Sequence, residues 1–200
     1  MERDLLTGLP AGGGGRPRER ADAARNRGKV LAAAARLFAE REPREVTMGD
    51  IARAAGVGRG TLYRRYPDTN SVALALLDEH ERDLQERLLR GEPPLGPGAP
   101  PGERLAAFLT AMVELLEEHI ALVLGAEGNG ARLTTGAYGF WRAHVRALLA
   151  EAAVPDPDAL ADALLAPLAS EVYSRQRAQG LTPERIAAGL ARLARAAVRA

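Results

Sequence analysis

Apolar residues along the chain recur three and four positions apart, the spacing that puts them on one face of a helix. Val30, Ala34, Leu37 and Phe38 form the first such series and predict a helix from Asp22 to Arg41, ended before Pro43. Thr47, followed three residues later by Asp50, resembles a capping box and starts a short helix through Ile51 and Ala55. Gly56-Val57-Gly58 breaks it, and a third helix runs from Arg59 to Tyr66 until Pro67 closes it. Asp68 then caps a long fourth helix through Leu74, Leu77 and Leu84. Residues 91–102 hold five prolines and four glycines, a composition that predicts a linker.

Beyond that linker, Glu103 to Leu124 reads as one apolar helix or a pair, followed by a break over Gly125 to Gly130. A further helix is predicted over 134–153, with Tyr138, Trp141, Val145 and Leu148 on one face. The last two are predicted over Asp158 to Gln179, kinked at Pro167, and over Pro183 to Arg199, capped by Thr182. No sustained alternation of β-branched and polar residues occurs, so the fold class is all-α. The expected domains are a flexible basic arm (1–21), an N-terminal unit (22–90), the linker (91–102) and a C-terminal helical unit (103–200).

Charge sharpens this division. The net charge is only +1, but residues 1–66 hold 14 basic against 8 acidic groups and the remainder 13 against 18. A basic N-terminal third on an acidic body is the footprint of a polyanion-binding module. Arginine dominates the basic set, with Lys29 the single lysine, so arginine abundance alone carries little weight. No apolar run approaches the roughly 18 residues that span a bilayer, and no signal-peptide core is visible. With no cysteine, neither disulfides nor thiolate chemistry is available. These features lead to the expectation of a cytoplasmic protein with no membrane partner.

The informative stretch is 44–67, where two short helices joined by a glycine turn make a helix-turn-helix. Its inward set is Ile51, Ala52, Ala55, Val57, Leu62 and Tyr66, and its outward set is Arg53, Arg59, Thr61, Arg64 and Arg65. A second helix of this kind enters the DNA major groove, where a guanidinium can bridge O6 and N7 of guanine and a Thr methyl can touch thymine. Arg59 and Thr61 are placed for base edges; Tyr63 and Thr47 carry hydroxyls near the rims, suited to phosphate. Arg53 and Arg65 can equally be ordinary solvated charges.

Arg25 to Leu77 resembles the DNA-binding domain of TetR-type transcriptional regulators. The resemblance rests on Leu37-Phe38-Ala39-Glu40, Thr47, Asp50-Ile51-Ala52, Ala55-Gly56-Val57-Gly58, Gly60-Thr61-Leu62-Tyr63 and Tyr66-Pro67. It covers about the first 85 residues. Where that family often carries a phosphate-contacting lysine, this chain has Thr69, and Glu42-Pro43 replaces a glycine after the first helix. The resemblance implies a dimeric repressor released from a pseudo-palindromic double-stranded operator by a small-molecule effector. The DNA-binding set it implies is Thr47, Gly58, Arg59, Gly60, Thr61, Tyr63, Arg64, Arg65 and Thr69.

In the C-terminal unit, Phe108, Met112, Leu115, His119, Tyr138, Trp141 and His144 are the expected lining of a pocket for a largely apolar effector. Leu160, Leu164, Leu168 and Val172 form one stripe, and Ile186, Leu190 and Leu193 another. Together they are the expected homodimer interface, as a four-helix bundle. Enzymatic readings find no support. Gly28-Lys29 lacks the flanking residues of a phosphate loop, no serine sits in a nucleophile elbow, and the three histidines fall on different predicted helices. No cofactor and no metal site is expected. The remaining alternative is a helical adaptor that binds protein partners without reading DNA.

Overall fold

The computed structural model describes residues 16–126 and 136–199. Among them run nine α-helices: α1 (Arg16–Glu40), α2 (Met48–Ala55), α3 (Arg59–Arg65), α4 (Thr69–Arg90), α5 (Pro101–Ala126), α6 (Gly136–Glu151), α7 (Pro157–Leu165), α8 (Ser170–Ala178) and α9 (Pro183–Ala197). Strands are absent from the described residues, as the all-α reading requires. Two short 3-10 turns, Pro43–Glu45 and Ala166–Leu168, complete the path.

The N-terminal core gathers Val30, Ala34 and Leu37 of α1 with Ile51, Ala55, Leu62, Tyr66, Val72 and Leu76. The second core is built on α5, along which α9 packs most extensively, with α4, α6 and α8 against its other faces. Helix α4 belongs to both. Val72 and Leu76 near its start seal the first core, while Leu84 and Leu88 near its end enter the second. The packing boundary therefore runs through the middle of α4 rather than along the proline-rich stretch, where Leu95 packs on the larger core and Gly96 donates its N–H to Glu92 O at 3.0 Å.

Several boundaries differ from the sequence expectation. Helix α1 begins at Arg16, six residues before Asp22, so part of the expected arm is helical; the rest, 1–15, lies outside the described residues. Helix α5 continues through Gly125 to Ala126, and the rest of the expected break, 127–130, lies outside the described residues. The long helix expected over Asp158 to Gln179 is two helices. Pro167 does not merely kink it: the 3-10 turn ends at Ala169, whose extended backbone starts α8 in a new direction.

Candidate nucleic-acid interface

The recognition element is assembled by local chemistry. Thr47 caps α2: its hydroxyl accepts from Asp50 N–H at 3.2 Å, and the Asp50 carboxylate accepts the Thr47 N–H at 3.2 Å, satisfying two end groups reciprocally. The Thr47 hydroxyl also donates to Asp50 Oδ2 at 2.6 Å, and these bonds hold the Asp50 carboxyl below its ordinary range. Gly56 ends α2 at φ +64°, a left-handed conformation that costs glycine little. Two residues later Gly58 starts α3. On α3, Leu62 is buried and Tyr66 just beyond it is too; those two anchors fix which face looks outward.

That outward face carries Arg59, Gly60, Thr61, Tyr63, Arg64 and Arg65, all exposed. Tyr63 is one of the few large hydrophobic side chains left in solvent, at 52% exposure, with its phenol free to reach a phosphate. Among the described residues neither Arg59 nor Arg64 has an ion-pair partner, whereas Arg53 lies 3.5 Å from Asp50 and Arg65 sits over the Tyr66 ring at 5.9 Å. Thr69 is half-buried in the first turn of α4, directly after the Asp68 cap that accepts from Ser71 N–H at 2.7 Å. The expected role of the Thr47 hydroxyl changes here. Its single proton goes to Asp50, which leaves it an acceptor and not a phosphate donor.

Gly49 escaped the sequence reading. A Cβ built there would stand 3.2 Å from Arg59 Nη2, so the bare α-carbon of α2 gives the guanidinium of α3 room to lie across it. The available signal was a glycine inside a short helix, where helical propensity argues against one. A groove of about 390 Å³ runs between α1 and α3, lined by Asn26, Arg27, Thr61, Arg64 and Arg65 among others. It brings first-helix polar groups alongside the recognition face.

In the body of the protein, the residues expected to line an effector pocket separate into two groups. Phe108 and Trp141 face each other with ring centroids 5.9 Å apart, and His144 meets Phe108 at 5.4 Å. Phe140 stacks on His144 at an interplanar angle of 4°. Burial, with the Arg104 cation nearby, pushes the His144 imidazole down to about 4, so it is neutral at pH 7. Trp141 Nε1 is buried and has no hydrogen-bond partner among the described residues. Met112 and Leu115 are buried in the larger core, and Tyr138 packs partly buried at its edge.

His119 belongs elsewhere. It turns toward α4, where its Nε2 lies 2.7 Å from His80 Nδ1. The three histidines do fall on different helices, α4, α5 and α6, but α4 and α5 pack side by side and join two of them across 39 positions. The dimer stripes are likewise redistributed. Leu164, Leu168, Ile186 and Leu190 are buried within their own chain, and Leu160 is half-buried against the same core. Of that set only Val172 and Leu193 remain well exposed, at 42% and 49%.

Residues 30–76 match the family described as bacterial regulatory proteins, tetR family. The HTH-type transcriptional repressor KstR2 of Mycobacterium tuberculosis is 34% identical over 110 residues, 54% of this chain and 53% of that protein. The chain spans about half, or less, of the length of the curated relatives it matches. A transcriptional regulator of the TetR/AcrR family from Thermobifida fusca superposes with a TM-score of 0.65 at 21% identity, covering 84% of this chain and 95% of the other. A complex of SmeT with triclosan superposes with a TM-score of 0.58 at 16% identity, covering 86% and 90%. These structural likenesses extend the shared fold over the C-terminal helices. No helix among the described residues is long and apolar enough to cross a membrane.

Proposed function

Through residues 30–76 the chain belongs to the bacterial regulatory proteins of the tetR family, and from that premise we propose that it is a sequence-specific DNA-binding repressor acting in the cytoplasm. The observation that carries this reading is the α3 face: Arg59 and Arg64 exposed and without ion-pair partners among the described residues, on a helix held by Leu62 and Tyr66. Free guanidiniums on a rigid helix are suited to guanine O6 and N7 and to phosphate. Two copies related by a twofold axis would present two such helices to a pseudo-palindromic operator. Exposed Val172 and Leu193, on α8 and α9, support pairing through the last helices.

The regulatory half of the proposal is an effector that inserts among Phe108, Phe140, Trp141 and His144. It is a largely apolar molecule with one hydrogen-bond acceptor for the Trp141 indole N–H, a buried donor otherwise without a partner among the described residues. A small molecule bound to a protein of the same fold, triclosan on SmeT, supports this kind of ligand. The effector acts only through the difference between its affinities for the DNA-competent and DNA-incompetent forms.

Sequencing the genomic fragments retained by the purified protein tests the DNA reading. We expect enrichment of fragments that share a two-half-site sequence, with log affinity falling linearly against log salt. Retention of random DNA with equal affinity would overturn the sequence-specific reading, and retention of no DNA would leave a helical protein-binding module.

A further inference from the structure

The histidine pair between α4 and α5 has a third member. Glu118, next to His119, places Oε1 3.3 Å from His80 Nδ1 and Oε2 3.9 Å from His119 Nε2. One ligand atom from each residue falls within 4.8 Å of the other two. Each of the three atoms can offer a lone pair, and their spacing leaves one point within reach of all of them. A divalent cation at that point would satisfy all three at once. We propose that His80, Glu118 and His119 form a binding site for one first-row divalent transition ion of the Zn²⁺ type, and that its occupation biases the position of α4.

The donor set selects the class of ion. Two imidazoles and one carboxylate suit Zn²⁺, Co²⁺, Ni²⁺ or Cu²⁺, whereas Mg²⁺ and Ca²⁺ prefer all-oxygen shells. Three protein ligands leave a fourth position for water or an added ligand atom. The surroundings agree with such a site. His119 is 1% exposed, and Leu84, Leu115 and Leu116, each about one helical turn from a histidine ligand, are buried, which gives the inner side a dry wall. Glu118 is 56% exposed on the outer side, giving an ion a path from solvent.

The coupling follows from position. Nitrogen ligands on a tetrahedral ion stand about 3.3 Å apart, wider than the 2.7 Å between His80 Nδ1 and His119 Nε2. Loading the site therefore parts the rings slightly and then ties them. His80 lies midway along α4, between the residues that seal the N-terminal core and those that enter the body, so the tie acts on the element the two units share. This coupling rests on the regulator reading given above; the ion site itself does not.

The test uses the full chain freed of metal with a chelator. Co²⁺ added alone should give the visible absorption of a low-coordinate site. Zn²⁺ should displace it and bind one ion per chain at about 1 μM or tighter in competition with a chromophoric chelator. His80→Gln should weaken Zn²⁺ by at least about 100-fold and the exposed Glu118→Gln by about 10-fold, while Mg²⁺ should not compete. No saturable Zn²⁺ binding, or both variants within twofold of the parent, overturns the site. If His80→Gln fails to fold by circular dichroism, Glu118→Gln alone decides. With an operator fragment in hand, Zn²⁺ should change the affinity of the parent severalfold and that of His80→Gln not at all. An operator affinity indifferent to Zn²⁺ overturns the coupling, whereas failure to retain any specific fragment strikes the regulator reading and leaves the metal titration standing.

Discussion

Arg27 of α1 donates to Glu79 of α4 at 2.6 Å, joining residues that lie 52 positions apart. The bond holds the Glu79 carboxyl below its ordinary range and the Arg27 guanidinium above its own. It clasps the first helix to the helix shared by both cores, just where the N-terminal core gives way to the body.

Breaking that clasp should loosen the DNA-binding unit more than its modest energy suggests. Glu79 is 44% exposed and solvent-screened, so Glu79→Gln should remove only about 0.5–1 kcal/mol in urea unfolding. A carboxylate lowered by folding stabilises above its unfolded value of 4.5, and the contribution disappears as pH falls through the lower folded value. Hydrogen exchange should therefore quicken in α1 of the variant at pH 7, and the difference from the parent should vanish in strong acid. Unchanged exchange in α1 would show that apolar packing alone holds it.

Arg59→Ala should weaken the specific operator by about 1–3 kcal/mol if the guanidinium bridges a guanine, and random DNA far less. Gly49→Ala should cost much less, because the new methyl would stand 3.2 Å from Arg59 Nη2, the end of an exposed side chain that need give by only a few tenths of an ångström. Fluorescence anisotropy on both DNAs measures this. Equal losses on specific and random DNA would reassign Arg59 to phosphate.

Thr47→Ala removes the side-chain half of the capping box, the acceptor for Asp50 N–H together with the hydroxyl donor to the Asp50 carboxylate, and leaves the bond from the backbone N–H of residue 47 to that carboxylate. The expected loss is about 1 kcal/mol of stability. Thr47→Ser, which keeps the oxygen, should lose much less. If the two substitutions behave alike, the methyl and not the hydroxyl matters.

The parts legible in the sequence are those whose cause is local. Thr47 with Asp50, the left-handed Gly56 and the Asp68 cap each act within a few residues, and each stands where the sequence placed it. Helical spacing also marked the apolar stripes of the last helices. It could not say what covers them: Leu190 meets the protein's own core because α9 lies along α5, and Leu168 of the 3-10 turn joins the same core. For the same reason the His80 and His119 pairing was invisible, since periodicity orients each helix but does not choose its neighbour. Pro167 was recognised as a disruption, but whether a proline bends or breaks a helix depends on what the following segment packs against.

Burial decides which substitutions can probe pairing of two copies. Leu168 is 6% exposed, so Leu168→Arg would bury a charge and unfold the chain, whatever the interface. Val172→Arg and Leu193→Arg alter exposed positions and should leave a folded protein by circular dichroism. If the last helices pair two copies, at least one of these variants should be monomeric in light scattering and bind the operator poorly. Two folded, fully dimeric variants would move the interface elsewhere.

His144 should make the protein sensitive to mild acid. Its imidazole is held neutral in the fold, down to about 4, chiefly by burial, whereas in the unfolded chain it protonates near 6.5. Between those values the unfolded state binds the extra proton, so stability falls as pH falls from 6.5 toward 4 and recovers as pH rises. Allowing for the partial exposure of the ring, the loss attributable to this residue is on the order of 1–2 kcal/mol. His144→Leu keeps an apolar group of similar size beside Phe108 and Phe140 and removes the titration. The parent's stability advantage over the variant, measured by urea unfolding, should therefore shrink by that amount between pH 7 and pH 4. A pH-independent difference would mean that His144 takes up its proton without leaving the aromatic cluster, and that its neutrality does not help hold α6 against α5.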